Sequence, residues 1–271
     1  MAFDLDIYLD RLRLTERPVG ADGLAQLQEA QMRAIPFEAI DPFLGMLPDL
    51  TDEGLWRKLI TDRRGGYCFE LNTMFGLALD ALDYRPQMLM CRVRQGADRG
   101  GARTHLAFMV ETDGVRWLCD TGFGGPGSRR PLHLDSRDPQ SVGTDIFRLR
   151  NDTATGELVL DKQQGDRWFP LYGTDFSSVQ FADIEAANFL CTHWNRTPFQ
   201  TFLMAAILTE TGRASLFNLA YKQVRDGQEE TRMLTDAQEL GAVLELVFGL
   251  TLDDSTVQAV FEKAADAPLT R

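Results

Sequence analysis

A cysteine preceded by an arginine pair and two glycines, in RRGGYCFELN at 63–72, has the setting of a nucleophile rather than of a packing residue. Gly65 and Gly66 let the backbone turn sharply. The helical pattern beginning at Tyr67 or Cys68 directs its first free N–H groups and its positive dipole end toward the Cys68 thiol. Such surroundings lower a thiol pKa and supply donors for an oxyanion. The other cysteines, Cys91, Cys119 and Cys191, lie in apolar strand or helix patterns, where a free cysteine packs as a small hydrophobe. There is no C-x-x-C and there are only three histidines, so neither a disulfide framework nor a zinc site of ordinary spacing is indicated, and no metal is expected.

A thiol nucleophile needs an imidazole within hydrogen-bond reach and a group that orients the ring. His133 follows Arg129, Arg130 and Pro131 in a loop, and His193 sits beside Trp194 on a helix, where structural roles are expected. His105 lies in THLAFMVET, which with VRWLCDT flanks Asp113-Gly114, the dipeptide favoured in two-residue hairpin turns. Such a turn pairs Thr112 with Val115. His105 and Asp120 then share one sheet face as diagonal neighbours, about 7–8 Å apart at the backbone, so the carboxylate reaches the imidazole. After Asp120 comes TGFGGPG, a glycine-rich turn whose N–H groups suit a phosphate or an oxyanion. It fits neither the P-loop nor the dinucleotide fingerprint. Arg64 is expected to tie segments together through a carboxylate rather than to act on the thiol.

The elements that position these residues follow from periodicity. DLDIYLDRLRL places Leu5, Tyr8, Leu9 and Leu12 on one helical face, and ADGLAQLQEAQMRAI places Leu24, Leu27 and Met32 on another. A third helix is predicted over 51–61 and a fourth through FELNTMFGLALDAL. From Arg85 the period becomes two, in MLMCRVR, THLAFMVET, VRWLCDT, DIFRLRN, GELVLDK and DRWFPLY, which predicts a mostly antiparallel sheet. ADIEAANFLCTHWN returns to helical spacing. Strand-like TFLMAAILTE, ASLFNLAYKQV and TRMLT follow, then helices near 236–248 and 255–265. Helices, then strands, then a mixture argue for an α+β fold.

The chain has 271 residues, 44% of them hydrophobic, and a formal charge of −12. A broad footprint for nucleic acid or anionic lipid is therefore not expected, and an anionic ligand would need a local site. No apolar run approaches the roughly 20 residues of a membrane span, and the N-terminus lacks a signal peptide's apolar block, so a cytoplasmic address is expected.

RGGYCFELN, THLAFMV and DTGFGG, with IPFEAI at 35–40 and TPFQTF and GRASL between 197 and 216, closely resemble the motifs of the arylamine N-acetyltransferases. The resemblance implies a helical bundle over 1–84 carrying the nucleophilic cysteine, a β-barrel over 85–179 carrying the histidine and aspartate, and an interdomain helix with an α/β lid over 180–271. It implies Cys68, His105 and Asp120 as a catalytic triad. The expected reaction is ping-pong, with Cys68 taking acetyl from acetyl-CoA and passing it to an arylamine, arylhydrazine or N-hydroxyarylamine. Gly124 and Gly125 match the loop near the CoA phosphates, and Phe37, Phe123 and Phe202 match positions of the acceptor pocket. Ala39 and Thr121 depart from the family pattern, which leaves Glu38 as the expected partner of Arg64. Positive potential is expected near the Gly124 loop, with Arg129 and Arg130 as further candidates. The alternatives are a related amide synthase using another acyl donor, or a transglutaminase-like or peptidase-like Cys-His-Asp enzyme. Neither the physiological acceptor nor the oligomeric state is legible.

Overall fold

Local chemistry starts the first helices in the computed structural model, which describes residues 3–268. The Asp4 carboxylate accepts the N–H groups of Asp6 and Ile7 at the head of α1 (Leu5–Arg11), which buries Tyr8 and Leu9. At the head of α2 (Gly20–Ala34), the Ala21 N–H donates to Asp113 Oδ2 at 2.7 Å, so the hairpin turn of the barrel caps a helix of the first third. After β1 (Phe37–Glu38) and α3 (Ile40–Phe43), the Thr51 hydroxyl caps α4 (Asp52–Leu55), which runs on as a π-helical turn over Trp56–Thr61. Cys68 is the first residue of α5 (Cys68–Ala81), a helix buried along most of its length.

The barrel is built from β2 (Gln87–Val93), β3 (Arg103–Thr112), β4 (Val115–Cys119), β5 (Leu132–His133), β6 (Gln140–Val142), β7 (Asp145–Asp152), β8 (Glu157–Gln164) and β9 (Arg167–Thr174). These strands form one antiparallel sheet in the order β5-β4-β3-β2-β9-β8-β7-β6, nearly closed on itself. Thr112 stands opposite Val115 and Phe108 opposite Cys119, the register the Asp-Gly turn predicts. Asp113 and Gly114 have φ of 54° and 74°, both left-handed, as the two-residue turn requires.

Beyond the barrel, α6 (Phe181–His193) packs against β3, and β10 (Met204–Leu208), β11 (Gly212–Phe217), β12 (Ala220–Arg225) and β13 (Gln228–Met233) make a second antiparallel sheet. ASLFNLAYKQV, expected as a single strand, is two. The chain turns at Asn218 and Leu219, with Asn218 at φ 48°, and Phe217 pairs with Ala220. A residue able to hold the left-handed region makes that turn possible. The helices α7 (Ala237–Leu246) and α8 (Asp254–Ala265) cover this sheet.

Three apolar cores result. Leu24, Leu59, Phe69, Phe75 and Leu106 join the first helices to the barrel wall; Phe147, Leu149, Leu160 and Leu171 fill the barrel; Phe43, Leu216, Leu240 and Phe248 join the second sheet to its helices. The β1 segment links the regions. Phe37 pairs with Ala206 of the second sheet and forms a parallel bridge to Gly66, just before the cysteine helix. Among the described residues, no helix is long and apolar enough to cross a membrane.

Candidate active site

The turn before Cys68 is zipped onto the β1 segment. Gly66 N–H donates to Pro36 O at 3.2 Å, and Gly66 O accepts Glu38 N–H at 2.9 Å. A Cβ on Gly65 would lie 2.3 Å from Pro36 O, so only glycine allows this approach. Arg64 Nε and Nη2 donate to Glu38 Oε1 at 3.0 and 2.6 Å, and Nη2 also reaches Asp41 Oδ1 at 2.8 Å. Asp41 thus supplies a second carboxylate where Ala39 is apolar and buried. Lys58 Nζ reaches Asp41 at 2.6 Å and Glu70 at 2.7 Å, and Glu70 Oε2 accepts the Tyr67 N–H at 3.0 Å. Burial pushes the Glu70 carboxyl up to about 7, against the pull of Lys58. Five charged side chains therefore hold the entry to α5 in register.

His105 Nε2 lies 2.7 Å from Asp120 Oδ2, and both side chains are buried. The other carboxylate oxygen, Oδ1, accepts Asn72 Nδ2 and the Gly122 N–H, each at 2.9 Å, while the Asp120 N–H donates to Gln28 Oε1 at 3.1 Å. Burial raises the Asp120 pKa, but His105, Asn72 and the Gly122 amide outweigh it and hold the carboxyl below its ordinary value. The His105 ring lies between Phe123 and Tyr172, with centroids 5.0 and 4.9 Å away. Cys68 and His105 line one cavity. Gly122 closes the space beside them, since a Cβ there would lie 2.8 Å from Cys68 Cα and 2.7 Å from Asn72 Nδ2.

The expectation of a lowered Cys68 pKa is corrected. Burial pushes the thiol well up and the charges of Cys191 and Asp120 add to this, while the backbone amides of Phe69 and Leu106 pull in the opposite direction. A helix start is not enough when Cys68 is only 4% exposed. An isolated thiolate is disfavoured here, and ionisation needs a nearby proton acceptor. Cys191, as expected of a helix-core residue, is buried; its sulfur and that of Cys68 approach the same Thr104 carbonyl, at 3.8 and 3.7 Å.

The cavity has a volume of about 680 Å³ and opens between the three regions. Phe37, Phe123, Gly124 and Gly125 line it. Phe202 does not. It is buried behind the wall and stacks at 5.1 Å on Phe217, which lines the cavity. The placement of Arg129 and Arg130 is also corrected: both turn to Glu29, at 2.5 and 3.0 Å, and neither lines the cavity. The cations on its wall are Lys162, Arg196, Arg213 and Lys222. Lys162 and Arg213 share Asp145, Lys222 pairs with Glu229, and Arg213 also donates to Gly125 O, clamping the glycine loop. Arg196 lies 4.8 Å over the Trp194 ring and makes no ion pair among the described residues. Sequence reasoning missed Asn72, although it stands within the cysteine motif, and missed Gln28, Tyr172, Trp194, Arg196 and Phe217, which carry no local signal. Among the described residues, no group of three or more His, Cys, Asp or Glu is placed to hold a metal ion.

The class is that of the N-acetyltransferases, whose family model matches residues 21–257. The arylamine N-acetyltransferase of Mycolicibacterium smegmatis is 33% identical over 275 residues, covering 98% of both chains. The arylamine N-acetyltransferase / N-hydroxyarylamine O-acetyltransferase of Salmonella typhimurium is 30% identical, over 92% of this chain and 90% of that protein. The solved structure of Mycobacterium marinum arylamine N-acetyltransferase in complex with CoA superposes with a TM-score of 0.89 at 31% identity, covering 96% of this chain and 99% of that one. The chain belongs to the arylamine N-acetyltransferase family and is an acyltransferase.

Proposed function

We propose that Cys68 takes acetyl from acetyl-CoA as a thioester and passes it to an arylamine, arylhydrazine or N-hydroxyarylamine. The observation that carries this reading is the buried His105–Asp120 pair, 2.7 Å apart, on the wall of the cavity that Cys68 also lines. With Nε2 committed to Asp120, Nδ1 is the nitrogen left to take the Cys68 proton. The product is a thiolate beside an imidazolium that Asp120 stabilises, a far smaller burden for a buried site than a lone thiolate. The sulfur then attacks the acetyl carbonyl, the C–S bond to CoA breaks, and His105 returns its proton to the departing thiolate. In the second half the amine attacks the Cys68 thioester, His105 accepts the amine proton, the C–S bond to Cys68 breaks, and His105 returns that proton to the departing thiolate. Backbone amides around Cys68, those of Phe69 and Leu106 among them, are the candidate donors to the oxyanion.

The remaining residues fit the two substrates. On this reading residues 1–84 supply Cys68, 85–179 supply His105 and Asp120, and 180–271 complete the cavity. Gly124, at φ 82°, and Gly125 present backbone to the pantetheine or phosphate end, while Phe37, Phe123 and Phe217 offer apolar faces to an aromatic acceptor. A likeness to a relative named for both N- and O-acetyl transfer supports including N-hydroxyarylamines. Arg196 is the wall cation with no carboxylate partner among the described residues, and is assigned to a CoA phosphate. Arg196→Ala is expected to raise the KM for acetyl-CoA about 5- to 10-fold, roughly the 1 kcal/mol net worth of one hydrogen bond, with the KM for the acceptor unchanged. Steady-state kinetics with each substrate varied in turn checks this.

Intact mass after incubation with acetyl-CoA alone tests the function. One acetyl adduct on Cys68, discharged with product formation when an aromatic amine is added, is expected. Absence of the adduct, with no CoA release when amine is present, would defeat the proposal.

A further inference from the structure

Thr121, the residue after Asp120, joins a buried polar chain on the side of Asp120 away from the imidazole. Tyr8 OH donates to Gln31 Oε1; Gln31 Nε2 donates to Thr121 Oγ1 at 2.8 Å; Thr121 Oγ1 lies 3.0 Å from Asn72 Oδ1; Asn72 Nδ2 donates to Asp120 Oδ1 at 2.9 Å. Tyr8, Gln31 and Asn72 have at most 0% exposure, and Thr121 has 4%.

The direction of every link is fixed by backbone groups. Asn72 Nδ2 must face the Leu106 carbonyl at 2.6 Å, and its Oδ1 must face the Thr121 N–H at 2.9 Å, so the amide has one permitted orientation. Gln31 Nε2 is likewise held by Leu71 O at 2.9 Å. Thr121 Oγ1 receives the Gln31 proton and therefore sends its own onward. Asn72 Oδ1 at 3.0 Å is the nearer acceptor, Leu71 O being at 3.4 Å. All donations run toward Asp120, and in a buried, low-dielectric interior each such bond polarises the next.

We infer that Thr121 and Gln31 are positioning residues for the reaction: their side chains polarise the Asn72 amide, which in turn holds Asp120 against His105. The inference rests on the proposed role of the His105–Asp120 pair. It gives a reason for a hydroxyl at position 121 and for a glutamine on the core face of α2. A chain that merely satisfied buried polar groups would affect stability alone.

The test uses the full chain with Thr121→Val, Thr121→Ser and Tyr8→Phe. Two quantities are read: the single-turnover rate of Cys68 acetylation by acetyl-CoA, and the rate of Cys68 alkylation by iodoacetamide from pH 5 to 9. Thr121→Val is expected to slow acetylation about tenfold, leave the KM for acetyl-CoA within twofold, and displace the pH profile of alkylation. Thr121→Ser keeps the hydroxyl and is expected to stay within twofold of the parent. Tyr8→Phe removes the first donor and is expected to slow acetylation two- to threefold; it carries the test if the valine variant does not fold. A wild-type rate and profile in Thr121→Val, or in Tyr8→Phe when it alone folds, overturns the inference. So does a serine variant as slow as the valine one, because the methyl group and not the hydroxyl would then be at work. If the parent itself forms no acetyl adduct, the proposed acetyl transfer fails, while the alkylation profiles still report whether Thr121 acts on the thiol through Asp120.

Discussion

Cys68→Ser is expected to lose turnover of an aromatic amine with acetyl-CoA by a factor on the order of 10⁴ or more, the scale seen when a triad nucleophile is removed. Serine is close in size to cysteine, so the buried position at the start of α5 retains its packing. The chemistry is what changes. Burial already pushes the Cys68 thiol up, and on the proposed mechanism His105 removes its proton as the sulfur attacks. A hydroxyl is a far weaker acid than a thiol, and its alkoxide is more strongly penalised by the same burial, so His105 is no longer an adequate base. CoA release followed with a thiol reagent and the mass of the protein after acetyl-CoA treatment are the two readouts. A serine variant within tenfold of the parent would show that Cys68 is not the acyl carrier.

Asp120→Asn is expected to have the second large effect, a fall of roughly 10³- to 10⁴-fold in kcat with little change in fold, comparable to the loss of the orienting carboxylate in other triads. The neighbours decide how the new amide sits. Asn72 Nδ2 and the Gly122 N–H both donate to Oδ1 at 2.9 Å, so the oxygen of the asparagine must take that place. Its NH₂ group then faces His105 Nε2, which becomes an acceptor, and the ring proton moves to Nδ1. A neutral imidazole protonated at Nδ1 cannot take the Cys68 proton. The iodoacetamide rate at neutral pH should fall along with kcat, and the KM for acetyl-CoA should stay within a few-fold. An asparagine variant that alkylates and turns over like the parent would remove Asp120 from the mechanism. The pH dependence has a definite sign. A carboxyl held below its ordinary value contributes stability above the unfolded pKa of about 3.9 and loses it as pH falls through the lower folded value, so near neutrality the contribution is fully present.

Much of the site is local in origin and could be read in advance. Asp113-Gly114 selects a two-residue turn because both positions tolerate left-handed φ, and that turn alone sets the parity that brings His105 and Asp120 together. The two glycines before Cys68 foretell a close backbone approach, and Arg64 does find Glu38. The α+β order of elements is likewise carried by period and punctuation. Less was legible where a residue's surroundings come from distant segments. Asp41 beside Arg64 and Gln31 behind Thr121 are each brought in by another part of the chain.

Phe202 and Phe217 make the division clear. Both are aromatic and lie in the same C-terminal region, and nothing local separates them. The turn at Asn218 and the pairing of β10 with β11 put Phe217 on the cavity wall and Phe202 behind it. The acidity of Cys68 follows the same rule: a helix start favours the thiolate, but packing within the first apolar core buries Cys68 and reverses the balance. By itself the sequence determined which residues could do chemistry and how neighbouring strands present them, because turn geometry and side-chain period act over a few residues. Only the tertiary structure decided which distant side chains share the cavity and how dry the reacting atoms are, because exclusion of water and contact between segments arise from packing the whole chain.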